Sequence, residues 1–389
     1  MKVLVAMSGG VDSSVAAALL LEQGHEVVGV TMRLWGGESD TGCCSVSDVD
    51  DARRVAQQIG IDHLVFNFTE DFQRAVVDPY INDHAIGITP NPCIECNRHL
   101  KFDRLHERAL VLGFDAVATG HHARVVHEDD VYRLVRGHDM AKDQSYVVHM
   151  LDQQQLSRTL FPVGEMTKTV VREHAARLNM RTASKPDSQD VCFITTAKDN
   201  DGRSGRVSFI GRRIPLNEAV VVDETGVELG SVESVELVTL GQRRGVAGGG
   251  GTKRFVVDID VPGRRVVVGP ENLLLTDFEL VSGVVWSDQP HTGMARVQCS
   301  AHGEPRSAML SLDESGRTVV AWTEPQRRIS PGQSAVFYDA EDRYVLGGGL
   351  VVRSAVSMKF SRVFKTFTLE KGICVGLGVL ILGLALLLH

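Results

Sequence analysis

Short apolar runs and amphipathic stretches alternate along the first 195 residues. The apolar runs are KVLVAM (2–7), EVVGVTM (26–32), DHLVFNF (62–68) and FDAVATG (114–120). Continuous runs of this kind are typical of strands that are covered on both faces. The stretch 11–23 has helical character and stops at Gly24, a residue that commonly follows a helix. The alternation predicts an α/β fold with a parallel sheet covered by helices on both sides.

The pattern changes after Phe193. The polar, glycine-containing stretch TTAKDNDGRSGR (195–206) has the composition of a linker. Beyond it, short β-rich runs such as VVDIDVPGRRVVVG and SAVFYDAEDRYVLGGG are separated by turn residues, which indicates small antiparallel sheets or a barrel. We therefore expect an α/β domain over 1–195, a small β-rich middle domain over 196–270, a β-barrel over 271–353 and an extension over 354–389.

The composition is that of an ordinary globular protein. Hydrophobic residues make up 43% of the 389 positions and charged residues 23%, which argues against global disorder. The formal net charge of −8 argues against a protein that coats nucleic acid through bulk positive charge, although it is compatible with a local basic groove. Seven cysteines are too few and too unevenly spaced for a disulfide scaffold, and MKVLVAM is unlike a signal peptide. We expect a cytoplasmic protein whose cysteines are thiols, ligands or catalysts.

The C-terminus departs from this pattern. The stretch 372–388 contains 17 uncharged residues, near the lower limit of about 17 that spans a bilayer as a helix. Four basic residues precede it, Lys359, Arg362, Lys365 and Lys371, as a positive-inside orientation requires. Two interpretations stay open: a hydrophobic helix that anchors the chain in a membrane, or an extension that is not made in the cell.

The first strand leads directly into MSGGVDSSV (7–15). Gly9 and Gly10 allow a backbone to approach an anion, and the following helix N-terminus presents N–H groups to it. The loop lacks the G-K-[ST] ending of a Walker loop. Asp12 would repel a phosphate unless a cation intervenes, which indicates Mg²⁺. The alternative is a glycine-rich turn with capping serines.

The heptapeptide SGGVDSS resembles the PP-loop of the adenine-nucleotide α-hydrolase superfamily, whose members adenylate an oxygen with ATP and release pyrophosphate. That superfamily includes amidating synthetases and tRNA sulfurtransferases. Replacing a carbonyl oxygen by sulfur also needs a nucleophilic thiolate or persulfide, ideally beside a resolving thiol. NPCIECN (91–97) and DSQDVCF (187–193) offer such cysteines.

The resemblance extends to a specific family. SGGVDSS, GCCS, TPNPCIECN, ATGHHAR, KDQSYV, FPVGE, KPDSQDVCFI, LGQRRG and PGQSAVFY follow the order found in the bacterial tRNA-specific 2-thiouridylases, and the likeness covers about residues 1–353. It implies a PP-loop nucleotide-binding catalytic domain, a small middle domain and a tRNA-contacting barrel. The implied reaction makes 2-thiouridine at the wobble position of tRNA, using ATP and sulfur from a relay protein and a cysteine desulfurase.

The resemblance also implies roles for individual residues. Cys192 carries the persulfide and Cys96 is the nucleophile that resolves it, which leaves a Cys96–Cys192 disulfide. The ATP site consists of Ala6, Met7, Ser8, Gly9, Gly10, Val11, Asp12 and Ser13, together with Met32 and Gly120. The residues at the target base and the tRNA are Asn91, Pro92, Cys93, His121, Lys142, Asp143, Gln144 and Gln333.

Position 93 departs from the family members that carry aspartate there. Cys93, Cys96 and Cys192 are three thiolates that could hold a [4Fe–4S] cluster or, with a histidine, zinc. We favour the persulfide route. Two hypotheses from other classes stay open: a PP-loop amidating ligase that uses ammonia, and a non-catalytic nucleotide-binding scaffold tethered by the hydrophobic tail.

Overall fold

The computed structural model describes residues 1–35, 46–186, 191–194, 198, 202–246 and 253–353. Met1–Val352 form one compact unit. The hydrophobic tail and the GCC motif therefore lie outside the described residues. Among the residues that the structure describes, no helix is long and apolar enough to cross a membrane.

The N-terminal part contains a five-stranded parallel sheet in the order β3-β2-β1-β4-β7. Its strands are β1 (Lys2–Ala6), β2 (Glu26–Arg33), β3 (Asp62–Asn67), β4 (Ala116–Ala118) and β7 (Thr159–Leu160). Val3, Leu4 and Val5 of the central strand β1 are fully buried, as its continuous apolar run predicts. Leu4 lies in one hydrophobic cluster, and Val3 and Val5 lie in another. The predicted α/β fold, with packing on both faces of the sheet, is confirmed.

Helices surround this sheet. The α-helices in this part are α1 (Val11–Glu22), α2 (Val46–Ile59), α3 (Thr69–Phe72), α4 (Asp78–Ala85), α5 (Pro92–Cys96), α6 (Leu105–Val111), α7 (Gln153–Leu156) and α8 (Lys168–Arg177). π-Helical turns join α3 to α4 (Gln73–Val77) and α5 to α6 (Asn97–Arg104), and Ser145–Val148 form a 3₁₀ turn. π-Helical turns are rare and often occur near functional sites. The longer of the two begins directly after Cys96.

The rest of the described chain is largely β-structure. The strands β5 (Ala123–Glu128) and β6 (Val131–Arg136) form an antiparallel pair between β4 and β7 in the chain. The short helix α9 (Gly205–Gly211) leads into a four-stranded sheet made of β8 (Ala219–Asp223), β9 (Glu228–Val232), β10 (Phe255–Asp260) and β11 (Arg265–Gly269). The 3₁₀ turns Val235–Leu237 and Glu271–Leu274 flank β10 and β11.

A closed six-stranded barrel follows, in the order β12-β15-β14-β13-β16-β17. Its strands are β12 (Leu275–Trp286), β13 (Gly293–Gln298), β14 (Arg306–Leu312), β15 (Thr318–Arg327), β16 (Ser334–Tyr338) and β17 (Val345–Val352). The predicted barrel is confirmed, whereas the domain boundaries at 195, 270 and 353 stay predictions.

The barrel shares a hydrophobic core with the N-terminal part. Ile94 of α5 and Tyr146 lie in one cluster with Val336, Tyr338 and Val345 of the barrel. All five side chains are at most 1% exposed. The position of α5, which carries Cys93 and Cys96, therefore depends on packing against the barrel.

Candidate active site

The loop between β1 and α1 is held in a shape that requires glycine. Gly9 has a φ of +70°, which glycine adopts at little cost. A Cβ atom on Gly9 would lie 2.4 Å from the backbone oxygen of Asp48. The hydroxyl of Ser13 accepts a hydrogen bond from the Ser8 backbone N–H at 3.2 Å, so the loop folds back on the first turn of α1.

The N-terminus of α1 fits a phosphate group. Gly10 precedes the helix, and no side chain caps it there, so the capping-serine interpretation of the loop is wrong. The hydroxyl of Ser14 donates instead to the Gly10 carbonyl at 2.8 Å. Gly120 approaches this turn so closely that its Cβ would lie 2.5 Å from the Ser13 nitrogen. Uncapped helix N–H groups and the helix dipole favour an anion at this position.

The side chains of Lys168 and His122 hold Asp12 on the first turn of α1. The Lys168 Nζ atom lies 2.8 Å from Oδ1 and 2.7 Å from Oδ2, and His122 Nε2 lies 3.2 Å from Oδ1. Burial alone would raise the pKa of the Asp12 carboxyl, but the bonds to His122 and Lys168 outweigh it and lower this pKa. Asp12 is therefore ionised. Sequence reasoning missed Lys168, which lies 156 positions away.

A second missed lysine holds the loop from its other side. The Lys185 Nζ atom donates to the Gly9 carbonyl at 3.0 Å, to Asp48 at 2.7 Å and to Asp51 at 2.9 Å. Lys185 belongs to the motif KPDSQDVCFI, which was the available signal. It ties the chain segment that leads towards Cys192 to the phosphate loop.

The cysteines differ in exposure. Asn91 caps α5 by accepting a hydrogen bond from the Cys93 N–H at 3.2 Å, and Pro92 occupies a favoured first-turn position. This cap places Cys93 at the exposed start of the helix and Cys96 at its buried end. Cys192 is half-buried and packs against the hydrophobic cluster that contains Cys96. Residues 187–190 lie outside the described part.

The same cluster reaches the nucleotide side of the sheet. It contains Ala6, the last residue of β1, and Met32 of β2. Both residues belong to the predicted ATP site. One hydrophobic cluster therefore connects that site with the two predicted sulfur-carrying cysteines.

The three cysteines do not form a cluster site as they lie here. Within the described residues, no group of three or more histidine, cysteine, aspartate or glutamate side chains is arranged to hold a metal ion. Cys93, Cys96 and Cys192 are all among those residues. The choice between a persulfide and a metal cluster at these three cysteines stays open.

Several predicted tRNA-contacting side chains bond within the protein. Asp143 accepts from Arg136 at 2.7 Å, and Arg136 also donates to Asp342 of the barrel at 2.7 Å. The Gln144 side chain accepts from the His122 N–H at 2.9 Å. In this structure, Asp143 binds the arginine that reaches the barrel, and Gln144 binds the histidine that contacts Asp12. Their role at tRNA stays a prediction.

The other members of this set vary in exposure. His121 is buried against Phe102 and Phe161 and bonds to Thr119 at 2.7 Å. Burial lowers the pKa of His121 well below its usual value, so its ring is neutral. Pro92 is buried, Asn91 is half-buried and Lys142 is exposed. Among the residues in this paragraph, Lys142 places a positively charged side chain at the surface.

A cavity of about 590 Å³ lies elsewhere, beside the two π-helical segments. Its charged lining residues include Asp71, Arg104 and Glu107, and Arg104 pairs with both acids. None of the predicted site residues lines it. The cavity therefore does not belong to the site described above.

Comparisons with known proteins agree with this architecture. The family described as "tRNA methyl transferase HUP domain" matches residues 1–196, and the "Aminomethyltransferase beta-barrel domain" matches residues 278–351. The tRNA-specific 2-thiouridylase MnmA of Chloroflexus aggregans is 46% identical, with 91% of this chain and 99% of that protein covered. Its counterpart in Carboxydothermus hydrogenoformans is 45% identical, with 90% and 97% covered.

Among solved structures, the U34-tRNA thiolase of Methanococcus maripaludis with its [4Fe–4S] cluster is 20% identical, with a TM-score of 0.33, over 49% of this chain and 61% of that chain. A likeness at this level supports no inference about cofactors. The curated relatives are far more similar and are matched over nearly their whole length. The chain belongs to the tRNA-specific 2-thiouridylase family.

Proposed function

We propose that this enzyme, an ATP-dependent tRNA 2-thiouridylase, transfers sulfur from a persulfide on Cys192 to C2 of the wobble uridine. The observation that carries the proposal is the shared hydrophobic cluster. Cys96 lies in it, Cys192 packs against it, and it also contains Ala6 and Met32 of the predicted ATP site. The ATP site and the sulfur-carrying cysteine must both reach the same uridine, because ATP activates its O2 and the persulfide attacks its C2.

The first step uses the phosphate loop. The uridine O2 attacks the α-phosphorus of ATP, an O–P bond forms, and pyrophosphate leaves. The N-terminus of α1 and Lys168 stabilise the negative charge on the phosphates. Asp12 is the residue that would hold Mg²⁺, which would neutralise the departing pyrophosphate.

The second step forms the carbon–sulfur bond. The terminal sulfur of the Cys192 persulfide, as its anion, attacks C2, and AMP leaves with the uridine oxygen. The base is then joined to Cys192 through a disulfide. The Cys96 thiolate attacks the Cys192 sulfur, breaks that S–S bond and releases 2-thiouridine. A Cys96–Cys192 disulfide remains, and an external thiol reductant returns it to two thiols.

The proposal takes the persulfide route rather than the cluster route. Cys93 is exposed and Cys96 is buried. The buried Cys96 thiol is less exposed to oxidants in solvent than the Cys93 thiol is. In this proposal, Cys93 contacts the target base.

The reaction implies partners. The substrate is a tRNA with a wobble uridine, and we propose that Asn91, Pro92 and Lys142 contact it. Sulfur comes from a cysteine desulfurase through a relay protein, and the thiol chemistry suits the cytoplasm. Membrane attachment through the tail stays a proposal of its own.

A gene deletion tests the function. Mass spectrometry of tRNA nucleosides from the deletion strain should show loss of wobble 2-thiouridine, restored by the wild-type gene and not by an Asp12→Asn copy. An amidating ligase or a scaffold would leave 2-thiouridine in place. Retention of 2-thiouridine in the deletion strain contradicts the proposed function.

A further inference from the structure

A loop of the barrel bonds directly to the segment that precedes α5. Residues 328–333 connect β15 to β16. The Thr89 N–H donates to the Pro331 carbonyl at 3.0 Å, and the Gln333 side-chain Nε2 donates to the Thr89 carbonyl at 2.6 Å. Both backbone polar groups of Thr89 therefore bond to the barrel.

The approach is close enough to require glycine at position 332. Gly332 has a φ of +90°, and a Cβ atom there would lie 2.4 Å from Ile88 Cγ2 and 3.1 Å from the Thr89 carbonyl oxygen. The loop is also bound to strand β17. The Gly332 N–H donates to the Val351 carbonyl at 2.9 Å, and the Val351 N–H donates to the Gln333 carbonyl at 2.9 Å. The loop that contacts Thr89 is thus hydrogen-bonded to the barrel strand β17.

Helix α5 begins only three residues after Thr89. Pro90 and Pro92 restrict the intervening backbone, so the position of Thr89 largely sets where the helix starts. The buried face of α5 meets the barrel again, because Ile94 packs in the cluster that contains Val336 and Tyr338. The helix is held to the barrel both at its entry and along its own side.

We infer that Gln333 is a positioning residue that acts through Thr89 to fix α5, and with it Cys96. This inference rests on the proposed function, and it gives Gln333 a different role from the direct tRNA contact that the family resemblance implies. A direct contact would set tRNA affinity. A positioning role sets the rate of the reaction at saturating tRNA and the accessibility of Cys96 when no tRNA is present.

The test uses the full-length enzyme and two variants. Gln333→Met keeps the length of the side chain but removes the donor to Thr89. Gly332→Ala disturbs the same contact from its other side. The matched control is Gln326→Ala, because the amide of this barrel glutamine bonds to the carbonyl of Glu324 on its own strand. The melting temperature of each variant reports whether it folds, and either folded variant suffices.

The first measurement is the alkylation rate of Cys96, followed by peptide mass spectrometry without tRNA or ATP. We expect several-fold faster alkylation in Gln333→Met and Gly332→Ala, and the wild-type rate in Gln326→Ala. The second compares tRNA binding with single-turnover thiolation. We expect tRNA affinity within about twofold of wild type and a rate that falls roughly tenfold, since small misplacements of reacting groups are costly.

An alkylation rate equal to that of wild type in the folded variants overturns the inference. Weaker tRNA binding with an unchanged saturated rate overturns it as well, and would make Gln333 a tRNA contact. If the wild-type enzyme makes no 2-thiouridine, the proposed function fails. The alkylation measurement then still decides whether the barrel positions Cys96.

Discussion

Lys168 and Asp12 form a two-point ion pair, with Nζ at 2.7 Å and 2.8 Å from the two carboxylate oxygens. Lys168 is the first residue of α8, and Asp12 lies in the first turn of α1. The phosphate loop carries no lysine of its own. The fold thus brings to the loop the positive charge that its sequence lacks.

Replacing Lys168 with methionine should weaken ATP binding about tenfold, which corresponds to about 1.4 kcal/mol. The Lys168 side chain is only 12% exposed, so its loss leaves an acidic Asp12 facing the phosphates with less compensation. Isothermal titration calorimetry with a non-hydrolysable ATP analogue measures the change.

Arg177→Met is the matched control for Lys168→Met. Arg177 lies on the same helix and pairs with Glu22 at the surface, where its side chain is 52% exposed. This variant should bind the analogue as wild type does. Equal affinity in the Lys168 variant would show that the ion pair has no part in nucleotide binding.

Ionisation of the buried Glu279 carboxyl in the barrel should make the free energy of unfolding depend on pH. Burial raises the pKa of this carboxyl from 4.5 to about 7, although the Ile329 N–H and Arg328 oppose the shift. Because the carboxyl has the higher pKa in the folded state, its contribution to the free energy of unfolding is fully present below pH 4.5. This contribution is lost as pH rises through about 7 and the folded protein must ionise the buried group. Glu279→Gln should therefore gain up to roughly 3 kcal/mol relative to wild type over this window.

Urea denaturation at several pH values measures that difference. Glu324→Gln is the control, since Glu324 is exposed on β15 and its replacement should leave the pH profile unchanged. The assignment fails if wild type and Glu279→Gln lose stability in parallel between pH 5 and pH 8.

The sheet and the barrel could be predicted from the sequence because local patterns determine them. The apolar run of β1 and the positive φ of Gly24 (+83°) both follow from neighbouring residues. Contacts between distant residues could not be predicted in this way. Lys168 and Lys185 reach a loop 156 and 176 positions away, and a lysine in a sequence does not indicate which carboxylate it meets.

The predicted tRNA contacts show the same limit. The Asp143 carboxylate suits a base or a backbone N–H, and the Gln333 amide suits a phosphate, a base or a backbone group. In the fold, Asp143 binds Arg136 and Gln333 binds Thr89. The structure shows which protein atoms these two side chains contact, and their contact with tRNA stays a prediction.

Ending the chain after Arg353 should preserve thiolation in vitro. The barrel closes with β17, Val345–Val352, and the family match ends at residue 351. Ending the chain after Tyr344 is the control, because removing β17 opens the barrel and should abolish folding. A folded but inactive Arg353 truncation would assign the tail a part in the reaction.

The tail's interpretation as a membrane anchor has a separate measurement. Cells that produce the full-length protein are fractionated without detergent. An anchored protein stays with the membranes, whereas the Arg353 truncation should not. Recovery of the full-length protein in the soluble fraction contradicts anchoring.

The central claim is that Cys192 and Cys96 transfer sulfur as a persulfide pair, without a metal cluster. The decisive measurement is 2-thiouridine formation by purified wild type and by the Cys93→Ala, Cys96→Ala and Cys192→Ala variants, assayed without oxygen with ATP and a persulfide donor. We predict an active, iron-free wild type, substantial activity in Cys93→Ala and none in the other two variants. A wild type that works only after reconstitution with iron and sulfide, with Cys93→Ala inactive and Cys93→Asp active, would contradict the claim.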